Sequence, residues 1–426
     1  MHLSEYELNF LKRMISIPSV GGDPEPACPY GRQSKIALDS FIQEAGIQGF
    51  DTGIIDNKVG YVQFGKGTRM IGIVCHLDVV PAGSGWNTDP FELVTENGNF
   101  YGRGIVDDKG PACAAYFAMK RLKDQGYMPN CRVRLILGSD EERTCDCIET
   151  YAHKGEIPNF AITPDAEFPV IFAEKGILQI EIKGRSDGGF TATSGSAANM
   201  VPADFTLTYD GKTITATGVP AHASKPELGT NALLKAVSDL PNEFLSRSPL
   251  LSYIYDMVID KKYSEYTGCI FNDESGTVTA NPAVLRIDDS TESLIIDIRY
   301  PVSADHNEIV SFFRKQISEY DLEVSVKNHM PPIIKEKDSK EIVTLTEIWK
   351  QYISSYSGYK EEYSAKFLAP LAIGGGTYAR HLPNTIAFGI QVPWQQDQCH
   401  QANEHMAVSD FETNIKVITE VIMRLR

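Results

Sequence analysis

The sequence predicts an α/β protein in which one α/β/α domain is split by an inserted α+β domain. Apolar, strand-like runs alternate with helical patterns up to about residue 173, which indicates a mostly parallel sheet covered by helices. Strands that alternate between apolar and polar residues replace this pattern in residues 174–337, and helical patterns return in residues 338–426. Such alternation is typical of half-exposed strands. The chain of 426 residues is also too long for one ordinary core.

Local signals predict the helices of the split domain. Ser4-Glu5-Tyr6-Glu7 is a capping box that precedes apolar residues at helical spacing. Residues 33–45 predict a helix with Gly46 as its C-cap, and a further helix should run from Gly110-Pro111 to Gly126. The final helix is expected to begin with the capping box Ser409-Asp410-Phe411-Glu412.

The insert contains two pieces of similar make. Strands are predicted at residues 178–182, 213–217, 294–298 and 322–326 and helices at residues 231–240 and 308–317, so that strand–helix–strand pieces appear twice. This similarity indicates two related halves within the insert, although no repeat of individual residues is visible.

The composition and charge of the chain exclude some classes of function. With 42% hydrophobic and 23% charged residues the chain is expected to be globular, and its net charge of −16 argues against nucleic acid as a partner. No apolar stretch approaches the roughly 20 residues of a membrane helix. Eight irregularly spaced cysteines, together with a folded helix at the N-terminus in place of a signal peptide, favour reduced thiols and a cytoplasmic location. Cys145-Asp146-Cys147 lacks the usual two-residue spacer of a redox or metal pair.

Carboxylates and imidazoles follow most of the apolar runs. Open α/β sheets bind ligands at the carboxyl ends of their strands, so segments distant in sequence can converge on one site. Carboxylate oxygens and neutral imidazoles are ligands for divalent cations such as Zn²⁺. The pattern indicates a hydrolase that uses two metal ions. The candidates, in chain order, are His76, Asp78, Asp107, Asp108, Glu141, Glu142, Asp165 and His400.

Spacing predicts roles for some of these residues. In an extended chain Asp78 points to the same side as His76, so its carboxylate could accept the imidazole N–H, although a lone His-x-Asp is usually a loop histidine with a chance neighbour. Glu141 and Glu142 are adjacent and cannot share one direction. One can bind a metal ion while the other takes a proton from water. Two divalent cations lower the pKa of water and polarise a carbonyl.

Together these motifs resemble the aminoacylase/glutamate carboxypeptidase family of di-zinc peptidases. The matching stretches lie at residues 76–81, 86–91, 102–110, 141–142 and 218–224. Residues 198–202, 374–380 and 400–404 are similar to its PepV-type dipeptidase branch. The resemblance covers nearly the whole chain and implies a zinc-peptidase-like catalytic domain, split in sequence by an α+β lid domain.

The resemblance implies a role for each ligand candidate. Asp107 would bridge two divalent metal ions, most simply Zn²⁺, with Mn²⁺ or Co²⁺ as alternatives. His76 and Asp165 would complete one site, and Glu142 and His400 the other. Asp78 would orient His76, and Glu141 would be the general base. The peptide bond between Asp107 and Asp108 would be cis.

In the lid, the resemblance implies residues that bind substrate. His222 would stabilise the oxyanion, with help from Asn199, and Arg299 would hold the terminal carboxylate of the substrate. The backbone at Gly375 and Gly376 would approach the same end. Thr144-Cys145-Asp146-Cys147 departs from the family pattern, which leaves the native metal open.

These inferences favour a cytoplasmic, monomeric dipeptidase that acts on short unblocked peptides. An N-acyl-amino-acid deacylase of the desuccinylase or deacetylase type would use the same metals and base. A catalytically inactive relative that binds peptides is a further alternative. A cysteine hydrolase is weaker, because each cysteine lacks a recognisable His-and-acid context apart from the metal motifs.

Overall fold

The chain divides into two compact units. In this computed structural model residues 2–186 and 189–425 are described. The first unit comprises Met1–Phe172, Lys335–Leu371 and Thr377–Arg426, and the second comprises Ala173–Ile334 with Ala372–Gly376. Both units combine helices and strands, which confirms the predicted α/β class.

The N-terminal part of the first unit alternates helices and strands. Its elements are α1 (Glu5–Ile15), α2 (Arg32–Ile47), β1 (Asp51–Ile55), β2 (Val59–Gly65), β3 (Met70–His76), β4 (Val94–Glu96), β5 (Asn99–Tyr101), α3 (Lys109–Asp124), β6 (Arg132–Gly138), α4 (Asp146–Lys154), β7 (Phe160–Thr163), β8 (Ala166–Glu167) and β9 (Ile171–Glu174).

Longer antiparallel strands dominate the second unit. Its elements are β10 (Gly176–Arg185), β11 (Thr191–Ser194), β12 (Asp204–Tyr209), β13 (Lys212–Thr217), a 3-10 turn (Pro226–Leu228), α5 (Ala232–Asp239), α6 (Asn242–Leu245), α7 (Pro249–Met257), α8 (Tyr263–Thr267), β14 (Asn272–Asp273), β15 (Gly276–Thr277), β16 (Thr279–Ile287), β17 (Thr291–Tyr300), α9 (His306–Ile317), β18 (Glu323–Met330) and β19 (Ile333–Ile334).

The C-terminal part begins and ends with a long helix. Its elements are α10 (Lys340–Tyr352), a 3-10 turn (Ile353–Ser355), α11 (Glu361–Lys366), β20 (Leu371–Ile373), a 3-10 turn (Tyr378–Arg380), β21 (Thr385–Ala387), β22 (Ile390–Gln391), β23 (His405–Ala407) and α12 (Val408–Arg424).

The sheet of the first unit has a parallel centre. Its strands follow the order β1-β2-β6-β3-β7-β21, and β6, β3, β7 and β21 run parallel to one another. β1 and β2 join antiparallel at the edge. Because parallel strands end at the same edge of a sheet, the loops that follow β3, β6, β7 and β21 emerge together.

Helix α3 fixes the position of the loop before it. It packs against β3, β6, α1 and α12 within the first unit. Alanines at four positions of this helix, including Ala114 and Ala118, are fully buried, and such small side chains permit close packing. A β-carbon on Gly110 would lie 1.9 Å from the carbonyl oxygen of Ile105. Only glycine therefore allows the preceding loop to lie directly on the start of α3.

The second unit is built on one antiparallel sheet in the order β13-β12-β11-β16-β17-β10-β18. In β10, Leu178, Ile180 and Ile182 are fully buried and belong to the same apolar core as Leu233 of α5 and Phe313 of α9. The alternation read from the sequence therefore marks a sheet with one face covered by helices.

Two helix ends differ from the sequence prediction, while the capping box of Ser4 and Glu7 is confirmed. Helix α2 continues through Gly46 to Ile47, and the chain turns at Gly49, whose φ is +76°. The predicted capping box at Ser409 is wrong. β23 pairs with β5 and leads directly into α12, so the helix begins at Val408, whose N–H donates to the carbonyl of Gly98.

Within the described residues, each helix is too short or too polar to cross a membrane.

Candidate active site

The parallel strands of the first unit bring three of the candidate segments to one edge. His76 is the last residue of β3 and pairs in register with Gly138, the last residue of β6. Glu141 and Glu142 lie three and four residues beyond the end of β6, and Asp165 lies two residues beyond the end of β7. The Nε2 atom of His76 lies 3.6 Å from a carboxylate oxygen of Asp165.

Asp107 lies between the two candidate histidines. One carboxylate oxygen of Asp107 is 2.9 Å from Nε2 of His76, and the other is 3.1 Å from Nε2 of His400. The same nitrogen of His400 lies 3.1 Å from Oε2 of Glu142. The peptide bond between Asp107 and Asp108 is cis, as the resemblance implied. The two oxygens of one carboxylate therefore face two different imidazoles.

The hydrogen bonds of His76 determine its tautomer and so whether its ring can bind a metal ion. Its Nδ1 lies 2.9 Å from the backbone carbonyl oxygen of Asp78, which can only accept a hydrogen bond, so Nδ1 carries the hydrogen. In the neutral ring Nε2 then has a lone pair directed at the carboxylates of Asp107 and Asp165. A lone pair among carboxylates requires a cation or a proton between them. The donor set therefore fits a divalent metal ion.

The pKa shifts of the cluster also indicate that it requires added positive charge. Hydrogen bonds to Asp107 and Glu142 raise the pKa of His400 to about 10. Burial raises the pKa of Asp165, and the negative charge of Asp107 raises it further. Oε1 of Glu142 is buried without a hydrogen-bond partner in the described part of the chain. Divalent cations would replace the protons that this cluster otherwise retains.

Asp78 contacts both His76 and the glutamate loop. Its backbone carbonyl lies 2.9 Å and its carboxylate 3.5 Å from Nδ1 of His76. The two carboxylate oxygens also accept the backbone N–H groups of Glu141 and Glu142, each at 3.1 Å. That Asp78 orients His76 stays a prediction, and the structure adds a link from its side chain to the glutamate loop.

Glu141 belongs to the same electrostatic cluster. Burial raises its pKa well above the usual range, and the charges of Asp165, Glu142 and Asp107 add to that effect while His76 opposes it. The Sγ atom of Cys145 lies 3.4 Å from the backbone carbonyl of Glu141. A carboxyl group in this setting holds a proton more readily than an exposed one, which suits general acid–base chemistry.

Asp108 received no ligand role from the sequence. Its Oδ2 atom accepts the backbone N–H of His76 at 2.8 Å. Together with His76 and Asp165, Asp108 forms a cluster that could hold a metal ion. A second such set consists of His76, Asp107 and Glu142. Adjacency to Asp107 was the available signal for Asp108, but two neighbouring side chains give no indication of which one faces the cluster.

His222 and Asn199 lie on paired segments of the second unit. An antiparallel bridge joins Met200 to His222, and the backbone carbonyl of Asn199 accepts the N–H of Ala223 at 2.8 Å. The side chains of Asn199 and His222 are both exposed. The Nδ1 atom of His222 is 2.7 Å from the hydroxyl of Ser224, which fixes the orientation of the ring.

Arg299 is buried in the second unit and held by Asp297. Its Nε and Nη2 donate to the two carboxylate oxygens of Asp297 at 2.5 and 3.2 Å, and its Nη1 donates to the carbonyl of Gly374 at 2.9 Å. A β-carbon on Gly374 would lie 3.0 Å from Cβ of Ser224. The glycine turn therefore lies between Arg299 and the segment of His222, and Gly375 and Gly376 continue it.

The cysteines near the site are free thiols. Cys147 lies 3.2 Å from the hydroxyl of Tyr378, and burial raises its pKa to about 12. Burial also raises the pKa of Cys145 and Cys399. Thiols that remain protonated are weak nucleophiles and weak metal ligands.

Comparison with known proteins gives a consistent result. The model of a family described as Peptidase family M20/M25/M40 matches residues 72–424. The chain is 30% identical to "Putative dipeptidase MW1694" of Staphylococcus aureus (strain MW2), and the alignment covers 99% of this chain and 98% of that protein.

Solved structures share the fold. Human carnosine dipeptidase 1 matches with a TM-score of 0.61 at 14% identity, covering 99% of this chain and 96% of that chain. The M20 family metallo-carboxypeptidase Sso-CP2 from Sulfolobus solfataricus matches with a TM-score of 0.61 at 17% identity, covering 99% of both chains. The di-peptidase Dug1p from Saccharomyces cerevisiae matches with a TM-score of 0.59 at 15% identity, covering 98% and 95%.

Proposed function

Because this chain belongs to peptidase family M20/M25/M40, we propose that it is a metal-dependent dipeptidase acting on short unblocked peptides. The name of the S. aureus relative, which aligns over almost the full length of both chains, supports this substrate class. The single observation that carries the proposal is the position of Asp107, whose two carboxylate oxygens lie 2.9 and 3.1 Å from the Nε2 atoms of two histidines.

The chain offers ligands for two divalent cations. We assign His76 and Asp165 to one ion and His400 and Glu142 to the other, with Asp107 shared between them. This donor set suits Zn²⁺, and Mn²⁺ and Co²⁺ accept the same ligands. When bound, such a pair of ions lowers the pKa of water and polarises the scissile carbonyl.

Glu141 is assigned the proton transfers. It takes a proton from the attacking water and passes that proton to the nitrogen of the leaving amino acid. Burial raises the pKa of Glu141, and a raised pKa favours the protonated form that donates to the leaving nitrogen, which supports this role. Asp78 keeps Glu141 and Glu142 in place through their backbone N–H groups.

Substrate binding is assigned to residues of the second unit. His222 donates a hydrogen bond to the oxyanion of the tetrahedral intermediate, and Asn199 assists it. Arg299 binds the terminal carboxylate of the dipeptide. Among the described residues its guanidinium makes three hydrogen bonds, to Asp297 and Gly374, and a guanidinium has five N–H groups to donate. The backbone N–H groups of Gly375 and Gly376 complete this end of the binding site.

The test combines metal analysis with a substrate panel. Purified protein should contain about two equivalents of a divalent metal, hydrolyse unblocked dipeptides, lose activity on chelation and regain it with Zn²⁺, Mn²⁺ or Co²⁺. Faster hydrolysis of N-succinyl or N-acetyl amino acids would replace the proposal with a deacylase. Metal binding without turnover of either class would indicate an inactive relative.

We also propose that the protein is a monomer, because the large insert can take the place of a partner subunit. Light scattering of the metal-loaded protein measures the mass directly. A stable dimer would overturn this part of the proposal.

A further inference from the structure

Glu404 is a fully buried carboxylate that accepts hydrogen bonds from the side chain of Arg103 and from three backbone N–H groups of residues 104–107. Its side chain is 0% exposed. It accepts the guanidinium Nη1 of Arg103 at 2.7 Å and the backbone N–H groups of Gly104 at 3.0 Å, Val106 at 2.7 Å and Asp107 at 3.2 Å. Charge-assisted hydrogen bonds of this kind are stronger than neutral ones. The loop is therefore tied to one side chain.

The same residue belongs to the segment that carries His400. Glu404 follows His400 by four residues, and its backbone carbonyl accepts the N–H of Gly102 at 3.1 Å. The next residue, His405, pairs with Tyr101 where β23 meets β5. Backbone and side chain of Glu404 thus join the two segments that present Asp107 and His400.

Arg103 is the cationic partner of Glu404. Its side chain is 1% exposed, and its guanidinium lies over the ring of Trp86 at 5.2 Å. The indole N–H of Trp86 donates to the carbonyl of Ala82 at 2.7 Å, which holds the ring in place. A buried ion pair is weak evidence for stability alone, because desolvation offsets much of its attraction.

We propose that Glu404 is a positioning residue that holds the carboxylate of Asp107 and the imidazole of His400 at the separation needed to bind two divalent cations. The inference rests on the proposed metal centre. It assigns to Glu404 a contribution to metal affinity that is separate from its contribution to folding. Residues that position ligands typically change metal affinity by 10- to 100-fold when they are replaced.

The test compares two substitutions of the same chemistry. Glu404→Gln removes the charge and places an amide N–H against the donors of Arg103 or the loop. Glu7→Gln is the matched control: Glu7 is also buried, accepts Nε and Nη2 of Arg121 at 2.7 and 3.0 Å, and accepts the backbone N–H of Ser4 at 2.8 Å. Glu7 lies in α1 and has no part in the proposed centre.

Zn²⁺ affinity is measured by competition with a chelator, and the Co²⁺-loaded proteins are compared by their visible absorption spectra. Glu404→Gln should lower Zn²⁺ affinity by about 10- to 100-fold and alter the Co²⁺ spectrum. Glu7→Gln should lower the melting temperature while Zn²⁺ affinity and the Co²⁺ spectrum stay as in the wild type. Wild-type metal binding by Glu404→Gln, or an equal loss in Glu7→Gln, would overturn the inference.

A second variant and the wild-type protein distinguish a failed inference from a failure to fold or a missing metal centre. If Glu404→Gln does not fold, Glu404→Asp retains the charge opposite Arg103 but withdraws the acceptors from the loop. That variant should show the same loss of Zn²⁺ affinity, and wild-type affinity in it would contradict the inference. If the wild-type protein itself binds no Zn²⁺, the proposed metal centre fails instead.

Discussion

The imidazole of His76 donates its Nδ1 hydrogen to the backbone carbonyl of Asp78 at 2.9 Å, while the carboxylate of Asp78 lies 3.5 Å from the same nitrogen. The main-chain carbonyl therefore accepts the Nδ1 hydrogen of His76, and the carboxylate lies beside the same nitrogen. The carboxylate also accepts the backbone N–H groups of Glu141 and Glu142.

Asp78→Asn should weaken metal binding through the glutamate loop. An amide can accept one of the two backbone N–H groups but presents its own N–H to the other, so the loop of Glu141 and Glu142 loses a fixed position. We expect Zn²⁺ affinity to fall by about 10-fold or more, measured by chelator competition. Asp273→Asn is the control, because Asp273 also accepts one backbone N–H on each oxygen, from Ser275 and Ser303. Equal Zn²⁺ affinities in both variants would contradict this role.

Glu141→Gln and Glu142→Gln should separate proton transfer from metal binding. Loss of a general base typically lowers turnover by about 10²- to 10⁴-fold, so Glu141→Gln should keep its metal content and lose kcat by that factor. Glu142→Gln should lose most of one metal equivalent, because its carboxylate lies 3.1 Å from Nε2 of His400. Elemental analysis and dipeptide hydrolysis on the same samples measure both effects. Wild-type turnover in Glu141→Gln would remove the proposed base.

Asp297→Asn should weaken recognition of the substrate carboxylate. Asp297 is fully buried and holds Arg299 through two N–H groups, while Gln179 donates to its second oxygen at 2.9 Å. Without that carboxylate the guanidinium loses its fixed direction. Charge-assisted bonds contribute about 1.5–3 kcal/mol, so kcat/KM for a free dipeptide should fall by roughly 10- to 100-fold.

The C-terminal amide of the same dipeptide provides the control for that measurement. It lacks the carboxylate, so Asp297→Asn should change its kcat/KM much less. If kcat/KM for the free dipeptide and for its C-terminal amide falls by the same factor, Arg299 does not bind the substrate carboxylate.

The lowered pKa of Glu7 predicts that the protein loses stability in acid. Burial acts to raise its pKa, but hydrogen bonds from Arg121 and Ser4 lower it below the usual value. A carboxyl group with a lowered pKa stabilises the fold fully above its unfolded-state pKa of about 4.3, and that contribution is lost as pH falls through the folded-state pKa. The free energy of unfolding of Glu7→Gln should therefore lie about 2 kcal/mol below that of the wild type at pH 6, with a smaller gap at pH 3.

Denaturant unfolding at several pH values measures this gap. Glu5→Gln, at an exposed position in the same helical turn, is the control and should stay close to the wild type at each pH. A gap for Glu7→Gln that did not change with pH would contradict the assignment.

Strand periodicity predicted that three of the candidate segments meet at one sheet edge, whereas Asp107 and His400 lie in loops that do not directly follow a strand of this sheet. The runs before His76, Glu141 and Asp165 became neighbouring parallel strands, and parallel strands end at one edge. Residue spacing could not predict which of several nearby acceptors receives each hydrogen bond. Asp78 offers both a carbonyl and a carboxylate near His76, and only the folded backbone decides between them.

Other features depended on contacts that a sequence does not display. The capping box at Ser409 was a sound local signal, but β23, which pairs with β5, leads into α12 so that the N-cap is Ala407, two residues earlier. Glu404 follows two amide-bearing residues, Gln401 and Asn403, and resembles a solvated loop acid. Its complete burial opposite Arg103 becomes visible only in three dimensions.

The imidazole of His76 is 0% exposed, whereas that of His400 is 53% exposed. An ion held by His400 would therefore exchange with bulk solution far sooner than one enclosed beside His76. Brief dialysis against a weak chelator should release one equivalent first, and refilling with a different element should yield a hybrid enzyme of defined occupancy.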